Sequence, residues 1–157
     1  MAAKDLVERL LSPVEVRAVV PAAPTAVFAV LSDPETYPDW LAGAQRIRRV
    51  NGHFPSPGST FDHEVGVGDN LTIADRTEAL AADPPNHLAL EVHAGPLRGI
   101  VEFELERTGD GTIVTFRERI TGALGPAMVA LRGPIFLRNK GSLDKLRQRF
   151  EPLVVRL

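Results

Sequence analysis

Apolar residues recur three and four apart along the last third of the chain, at Met128, Leu131, Ile135, Leu143, Leu146 and Phe150. That spacing draws one stripe down an amphipathic helix running from Leu124 to Phe150. A single polar residue, Asn139, sits within the stripe, four positions after Ile135 and four before Leu143. Arg132, Arg138, Lys140, Lys145, Arg147 and Arg149 occupy the opposite face. At about 1.5 Å per residue such a helix is roughly 40 Å long, so its stripe requires an extended apolar partner. Gly133-Pro134 and Gly141 interrupt it. Proline has no amide proton and crowds the preceding turn, which predicts a kink or a fresh start at Pro134.

The remainder of the chain has a period of two. Val14 to Val20 alternates as a strand with Val14, Val16, Ala18 and Val20 on one face, and Pro21 ends it. Pro24 suits the first turn of a helix through Leu31 that packs Val27, Phe28 and Leu31. Asp33-Pro34 then reads as the cap and first residue of a second short helix, which reaches Trp40 and closes at Gly43. Turn chemistry at Asn51-Gly52, Pro55 to Gly58, Gly68-Asp69-Asn70, Asp83 to Asn86, Gly95-Pro96 and Gly109 to Gly111 separates further strands. They are expected near 45–50, 59–67, 71–82, 87–94, 98–107 and 112–120. The arginines at 46, 48 and 49 suit the first of these to an exposed edge. Ahead of everything, Leu6, Val7, Leu10 and Leu11 predict a short amphipathic lead-in over residues 1–12. Short loops and a terminal helix describe an antiparallel α+β domain over residues 13–152, followed by a tail at 153–157.

Register follows from matching the apolar phases, because a slip of one residue turns a strand inside out. A three-residue loop at 68–70 sets Val67 opposite Leu71, Val65 opposite Ile73, His63 opposite Asp75 and Phe61 opposite Thr77. Asp62, Glu64, Thr72, Arg76 and Glu78 then share the solvent face. Leu88, Leu90 and Val92 point inward. Farther on, Leu105 meets Val114, Phe103 meets Phe116 and Val101 meets Glu118, while Glu102 and Arg117 face each other outside as an expected ion pair.

Val14 to Val20, Pro24-Thr25-Ala26-Val27-Phe28, Asp33-Pro34-Glu35-Thr36-Tyr37-Pro38-Asp39-Trp40, and Arg138-Asn139 followed by Leu143 and Leu146 resemble the START-like (SRPBCC) superfamily. The branch they look most like is that of polyketide cyclase/dehydrase and lipid transport proteins. The resemblance implies a helix-grip fold, a curved seven-stranded antiparallel sheet around the C-terminal helix with two short helices after the first strand. It also implies a cavity between sheet and helix for a hydrophobic small molecule such as a lipid or polyketide. The inward phases would put Phe61, Ile73, Thr77, Leu90 and Val92 on that cavity, with Phe103, Phe116 and Glu118 from the last strands. Met128, Leu131, Ile135 and Asn139 would face them from the helix. Trp40 and Tyr37 read as packing residues at its rim.

Composition narrows the chemistry. A formal net charge of −2 and no basic patch laced with aromatics argue against nucleic acid as the main partner. Without cysteine, neither disulfides nor thiolate catalysis is available. The only lysines are Lys4, Lys140 and Lys145, so none lies in the sheet as a Schiff-base former. Charges at Lys4, Asp5, Glu8 and Arg9 leave no signal-peptide core, and no run approaches the roughly 18 apolar residues of a membrane span. A cytoplasmic protein without integral membrane association is the expectation. None of the five serines sits in a nucleophile elbow, and there is no phosphate-binding glycine loop. His53, His63, His87 and His93 lack metal-ligand spacing, so no metal or cofactor is expected.

The inward face is apolar except at His63, Asp75, Thr77 and Glu118, with Asn139 offered by the helix. Buried carboxylates need partners. His63 and Asp75 therefore read either as a structural pair or as a polar anchor for a ligand, whose stronger form is an acid–base pair. Glu118 either reaches water near a strand end or belongs to the same site, and Asn139 either caps carbonyls or joins it. Three functions remain open: binding of a hydrophobic molecule, a cyclase/aromatase or dehydrase reaction using His63 and Asp75, and regulation of a protein partner through the edge strand or the basic helix face.

Overall fold

The computed structural model describes residues 2–67 and 71–152. The turn expected at Gly68-Asp69-Asn70 and the tail at 153–157 lie outside the described residues. Seven strands, β1 (Val14–Val20), β2 (Ala44–Asn51), β3 (Thr60–Val67), β4 (Leu71–Asp83), β5 (His87–Ala94), β6 (Leu97–Thr108) and β7 (Gly111–Thr121), form one antiparallel sheet. Its order is β1-β7-β6-β5-β4-β3-β2. The strands from β2 to β7 follow one another as a meander, and β1 closes onto β7. The arginine-bearing β2 is an edge strand, as its charges predict.

Between β1 and β2 lie α2 (Pro24–Leu31), a 3-10 turn (Pro34–Thr36) and α3 (Tyr37–Trp40). Pro24 and Pro34 each open their element. The Asp33 carboxylate accepts the Glu35 amide at 3.1 Å, satisfying one of the amide donors that a helix start leaves free. Gly43 adopts a φ of 87° that closes the segment. Trp40 is anchored by donating from Nε1 to Thr36 Oγ1 at 3.2 Å, and Tyr37 by donating to the Leu31 carbonyl at 2.6 Å.

The C-terminal segment enters through a 3-10 stretch (Gly122–Ala127) and becomes α4 (Met128–Arg149). Met128, Ile135, Asn139, Leu143 and Leu146 are buried, while Lys145 and Arg149 are exposed. The stripe read from the sequence therefore faces the sheet. No fresh start occurs at Pro134, because one helix passes through it. The carbonyl that loses its donor belongs to the exposed Ala130, where water can serve it. The outer face is less basic than expected, since Val129, Phe136 and Leu137 are exposed on it. The lead-in is a full helix, α1 (Ala3–Leu11), with no buried residue. Arg132 ties it down by donating from Nη1 to the carbonyls of Leu10, at 3.1 Å, and Ser12.

Register sets the inner face. Phe61 pairs with Thr77, His63 with Asp75 and Val65 with Ile73, as the apolar phases require. Glu102 does lie opposite Arg117, but the expected ion pair is not made. Arg117 instead reaches Glu15 at 2.8 Å and Glu104 at 2.9 Å, and Glu102 meets His87 at 3.5 Å. A long guanidinium arm finds carboxylates on both neighbouring strands: Glu15 directly opposite on β1 and Glu104 diagonally on β6, in place of Glu102. Gly111 is required where β7 meets β1, because a Cβ there would stand 2.7 Å from the Val20 carbonyl oxygen.

Candidate functional site

Between the sheet and the first half of α4 is a cavity of about 290 Å³. Its walls follow from the register. Successive rows across the sheet are Ala79–Leu90–Val101–Glu118, then Thr77–Val92–Gly99–Ile120, then Asp75–Ala94–Leu97. Side-chain bulk falls along these rows, to a glycine at 99 and an alanine at 94. The row on the other side, Leu88–Phe103–Phe116–Val16, is filled with aromatic rings. Phe103 and Phe116 pack with centroids 4.6 Å apart and planes tilted by 35°, and both line the cavity. Leu131, Pro134, Ile135 and Arg138 of α4 cover the hollow.

Of the residues the sequence assigned to a ligand, Thr77, Leu90, Val92, Phe103, Phe116 and Glu118 do line this space. Leu131 and Ile135 line it from the helix, and His63 and Asp75 from the far strands. Four do not. Phe61 is fully buried among Tyr37, Phe54 and His63, and Met128 packs with Val14 and Ile135. Ile73 stands apart from the lining, and Asn139 acts through Glu118. Each of the four lies on the predicted face but beyond the hollow, because an inward phase says which layer a side chain enters and not whether the layer is filled there. Tyr37 lines the cavity, whereas Trp40 packs in the core against Phe103 with centroids 5.9 Å apart. Sequence reasoning also missed Ala94, Gly99, Val101 and Arg138. The falling side-chain size along β5 and β6 was the available signal for the first three.

Two polar clusters interrupt the apolar wall. In the first, His63 and Asp75 are 4% and 5% exposed, and Nε2 of His63 lies 3.2 Å from Asp75 Oδ2 and 3.2 Å from Thr77 Oγ1. A carboxylate oxygen can only accept, which places the imidazole proton on Nε2, hydrogen-bonded to Thr77 Oγ1 and beside Asp75 Oδ2. The outer atoms of the pair, His63 Nδ1 and Asp75 Oδ1, are closed off from solvent and have no hydrogen-bond partner. In the second cluster Arg138 Nη2 donates to both oxygens of Glu118, at 2.5 and 2.7 Å, and Asn139 Nδ2 donates to one of them at 2.7 Å. Glu118 is thus neither an open strand-end residue nor a free carboxylate. It straps the helix to β7 at the cavity wall, and Arg138, expected on the outer face, turns inward to meet it. The Tyr37 phenol is no proton donor here. Burial, with Asp33 nearby, pushes its pKa far above the ordinary value, and its proton is engaged on the Leu31 carbonyl.

Among the described residues no group of three or more histidine, aspartate and glutamate side chains could hold a metal. No helix among them is long and apolar enough to cross a membrane.

A family model described as polyketide cyclase / dehydrase and lipid transport matches residues 13–151. No curated protein matches the chain. Among solved structures, protein CV1439 of Chromobacterium violaceum superimposes with a TM-score of 0.72 at 17% identity, over 90% of this chain and 99% of that one. The di-domain aromatase/cyclase StfQ of the steffimycin pathway gives 0.69 at 17% identity, over 95% of this chain and 54% of StfQ. DynU16, from the dynemicin biosynthetic locus, gives 0.62 at 18% identity, over 87% and 46%. At these identities the likeness is one of fold.

Proposed function

The chain belongs to the polyketide cyclase/dehydrase and lipid transport family, and from that premise we propose that it binds an apolar small molecule in the cavity between the sheet and α4. The observation that carries this reading is the cavity itself, walled by Leu90, Val92, Val101, Phe103, Phe116 and Ile135. At about 290 Å³ it lies at the lower end of the usual range for ligand sites, roughly 300–1,000 Å³. That size favours one compact ring system or a single short chain over a lipid with two long tails.

Titration with N-phenyl-α-naphthylamine, a neutral fluorophore that brightens in apolar surroundings, tests the proposal. Saturable binding of one molecule per chain is expected, and Leu131→Trp, which places an indole in the hollow, should weaken it at least about tenfold. A folded wild type that does not bind, or a Leu131→Trp variant that binds equally well, overturns it.

The buried His63–Asp75 pair in the cavity wall supports a second reading, in which the pair moves a proton on the bound molecule. A carboxylate that orients an imidazole is the arrangement general acid–base catalysis uses. Turnover of a bound polyketide-like ketone that disappears in His63→Gln while binding persists would favour it over simple binding.

A further inference from the structure

We infer that the cavity is built for an uncharged ligand bearing a hydroxyl group, which donates its proton to Asp75, and that it discriminates against carboxylates. The inference rests on the proposed ligand-binding reading and deepens it to a chemical class. It begins with the two unpartnered atoms. Asp75 Oδ1 and His63 Nδ1 have no donor or acceptor in reach, although both side chains are at least nineteen-twentieths buried. An unmet buried acceptor forfeits its hydration without compensation, so groups left this way in a folded protein call for a partner supplied from outside.

The chemistry of that partner is constrained. The Nε2 proton is hydrogen-bonded to Thr77 Oγ1 and stands beside Asp75 Oδ2, and Oδ1 can only accept. While the imidazole is neutral, Nδ1 also accepts. When it carries a second proton, Nδ1 donates and Oδ1 still accepts. In both states the ligand must bring a donor to Asp75, and a hydroxyl serves either state because it both donates and accepts. Rotation about the last aspartate torsion is soft, so either carboxylate oxygen can turn into the hollow.

A carboxylate ligand fails the same test. It has no proton to offer at neutral pH and would set a like charge beside Asp75 in a poorly solvated wall. The opposite cluster does not rescue it. Two arginines border the cavity. Arg98 is exposed and alternates on β6 with Leu97 and Gly99, so its strand phase turns it to the outer face, and the charge of Arg138 is already shared with Glu118, which a second carboxylate would have to approach. A free fatty acid is therefore the wrong headgroup for this cavity, and a phenol, enol or alcohol the right one.

Naphthalene, β-naphthol and β-naphthoate share one ring system and differ in the group at issue. Binding of each to the wild-type protein, measured by calorimetry near neutral pH, is expected to rank naphthol first by about tenfold or more over naphthalene, the worth of one hydrogen bond to a charged acceptor. Naphthoate should bind more weakly than naphthalene. Asp75→Asn removes the charge at nearly constant shape, and should collapse both differences while naphthalene affinity is retained. If all three bind equally, or naphthoate binds best, the hydroxyl inference falls and the cavity reading stands. If none binds, both fall together. The wild-type ranking decides the matter even where the variant does not fold.

Discussion

The two halves of α4 lie over the same sheet and end differently. Its C-terminal half is embedded: Leu143 and Leu146 are 1% and 0% exposed and pack in one cluster with Trp40, Phe103 and Phe116. Its N-terminal half bridges a void, with Leu131, Pro134, Ile135 and Arg138 over Val92, Ala94 and Gly99. Both halves carry the same apolar stripe, so the helix does not make the difference. The sheet does, by supplying aromatic rings under one half and small side chains under the other. Packed and hollow regions are thus two uses of one pattern, and they should respond in opposite ways to added and removed volume.

The largest expected effect is in the packed half. Leu146→Ala should cost about 2–5 kcal/mol in chemical denaturation, because rigid neighbours cannot collapse into the space. The same truncation at Leu131, half-buried over the hollow, should cost about 1 kcal/mol or less. Equal losses at the two sites would erase the distinction. Added volume should show the reverse. Ala94→Phe should leave the melting transition nearly in place and weaken binding of the naphthylamine fluorophore at least about tenfold, whereas a large destabilisation would mean that the hollow is already filled.

The strap across the cavity gives an intermediate effect. Asn139 is 1% exposed and holds Glu118 at 2.7 Å. Asn139→Leu should therefore destabilise by about 1–3 kcal/mol, through loss of a donor to a carboxylate that stays half-covered. Arg138→Met should cost less, about 1 kcal/mol, because that arginine is half exposed and its ion pair is screened. The smallest effect lies on the outer face. Arg117, hydrogen-bonded to Glu15, holds the Glu15 carboxyl below its ordinary range. A lowered folded pKa stabilises above the unfolded value of about 4.3 and loses that contribution as pH falls through the folded pKa. Glu15 is exposed enough that only a few tenths of a kcal/mol are expected. Glu15→Gln should flatten the acid limb of the stability curve by that amount, measured from pH 6 down to about pH 3.

The order of strands and helices was legible in the sequence because its signals are local and repeated. Alternation marked each strand, Pro24 and Asp33-Pro34 marked the short helices, and the stripe from Met128 to Leu146 marked α4. Even the pairing of His63 with Asp75 followed from one loop length and two apolar phases. Two kinds of feature escaped. Contacts made by long arms did, since Arg117 takes the diagonal Glu104 on β6 over the Glu102 directly opposite and also reaches Glu15 on β1, and Arg138 swings inward to Glu118. The extent of the hollow did as well, because inward phase treats Phe61 and Val92 alike although one is core and the other is wall. Side-chain volume along β5 and β6, read as a gradient, carries that information.

Methyl-resolved NMR during addition of naphthalene tests the central claim most directly, since each leucine, valine and isoleucine reports its own surroundings. The account predicts saturable shifts at Leu90, Val92, Val101, Leu131 and Ile135, with Leu143, Leu146 and Val114 unmoved. Shifts spread evenly over both groups, or confined to the packed half, would contradict it.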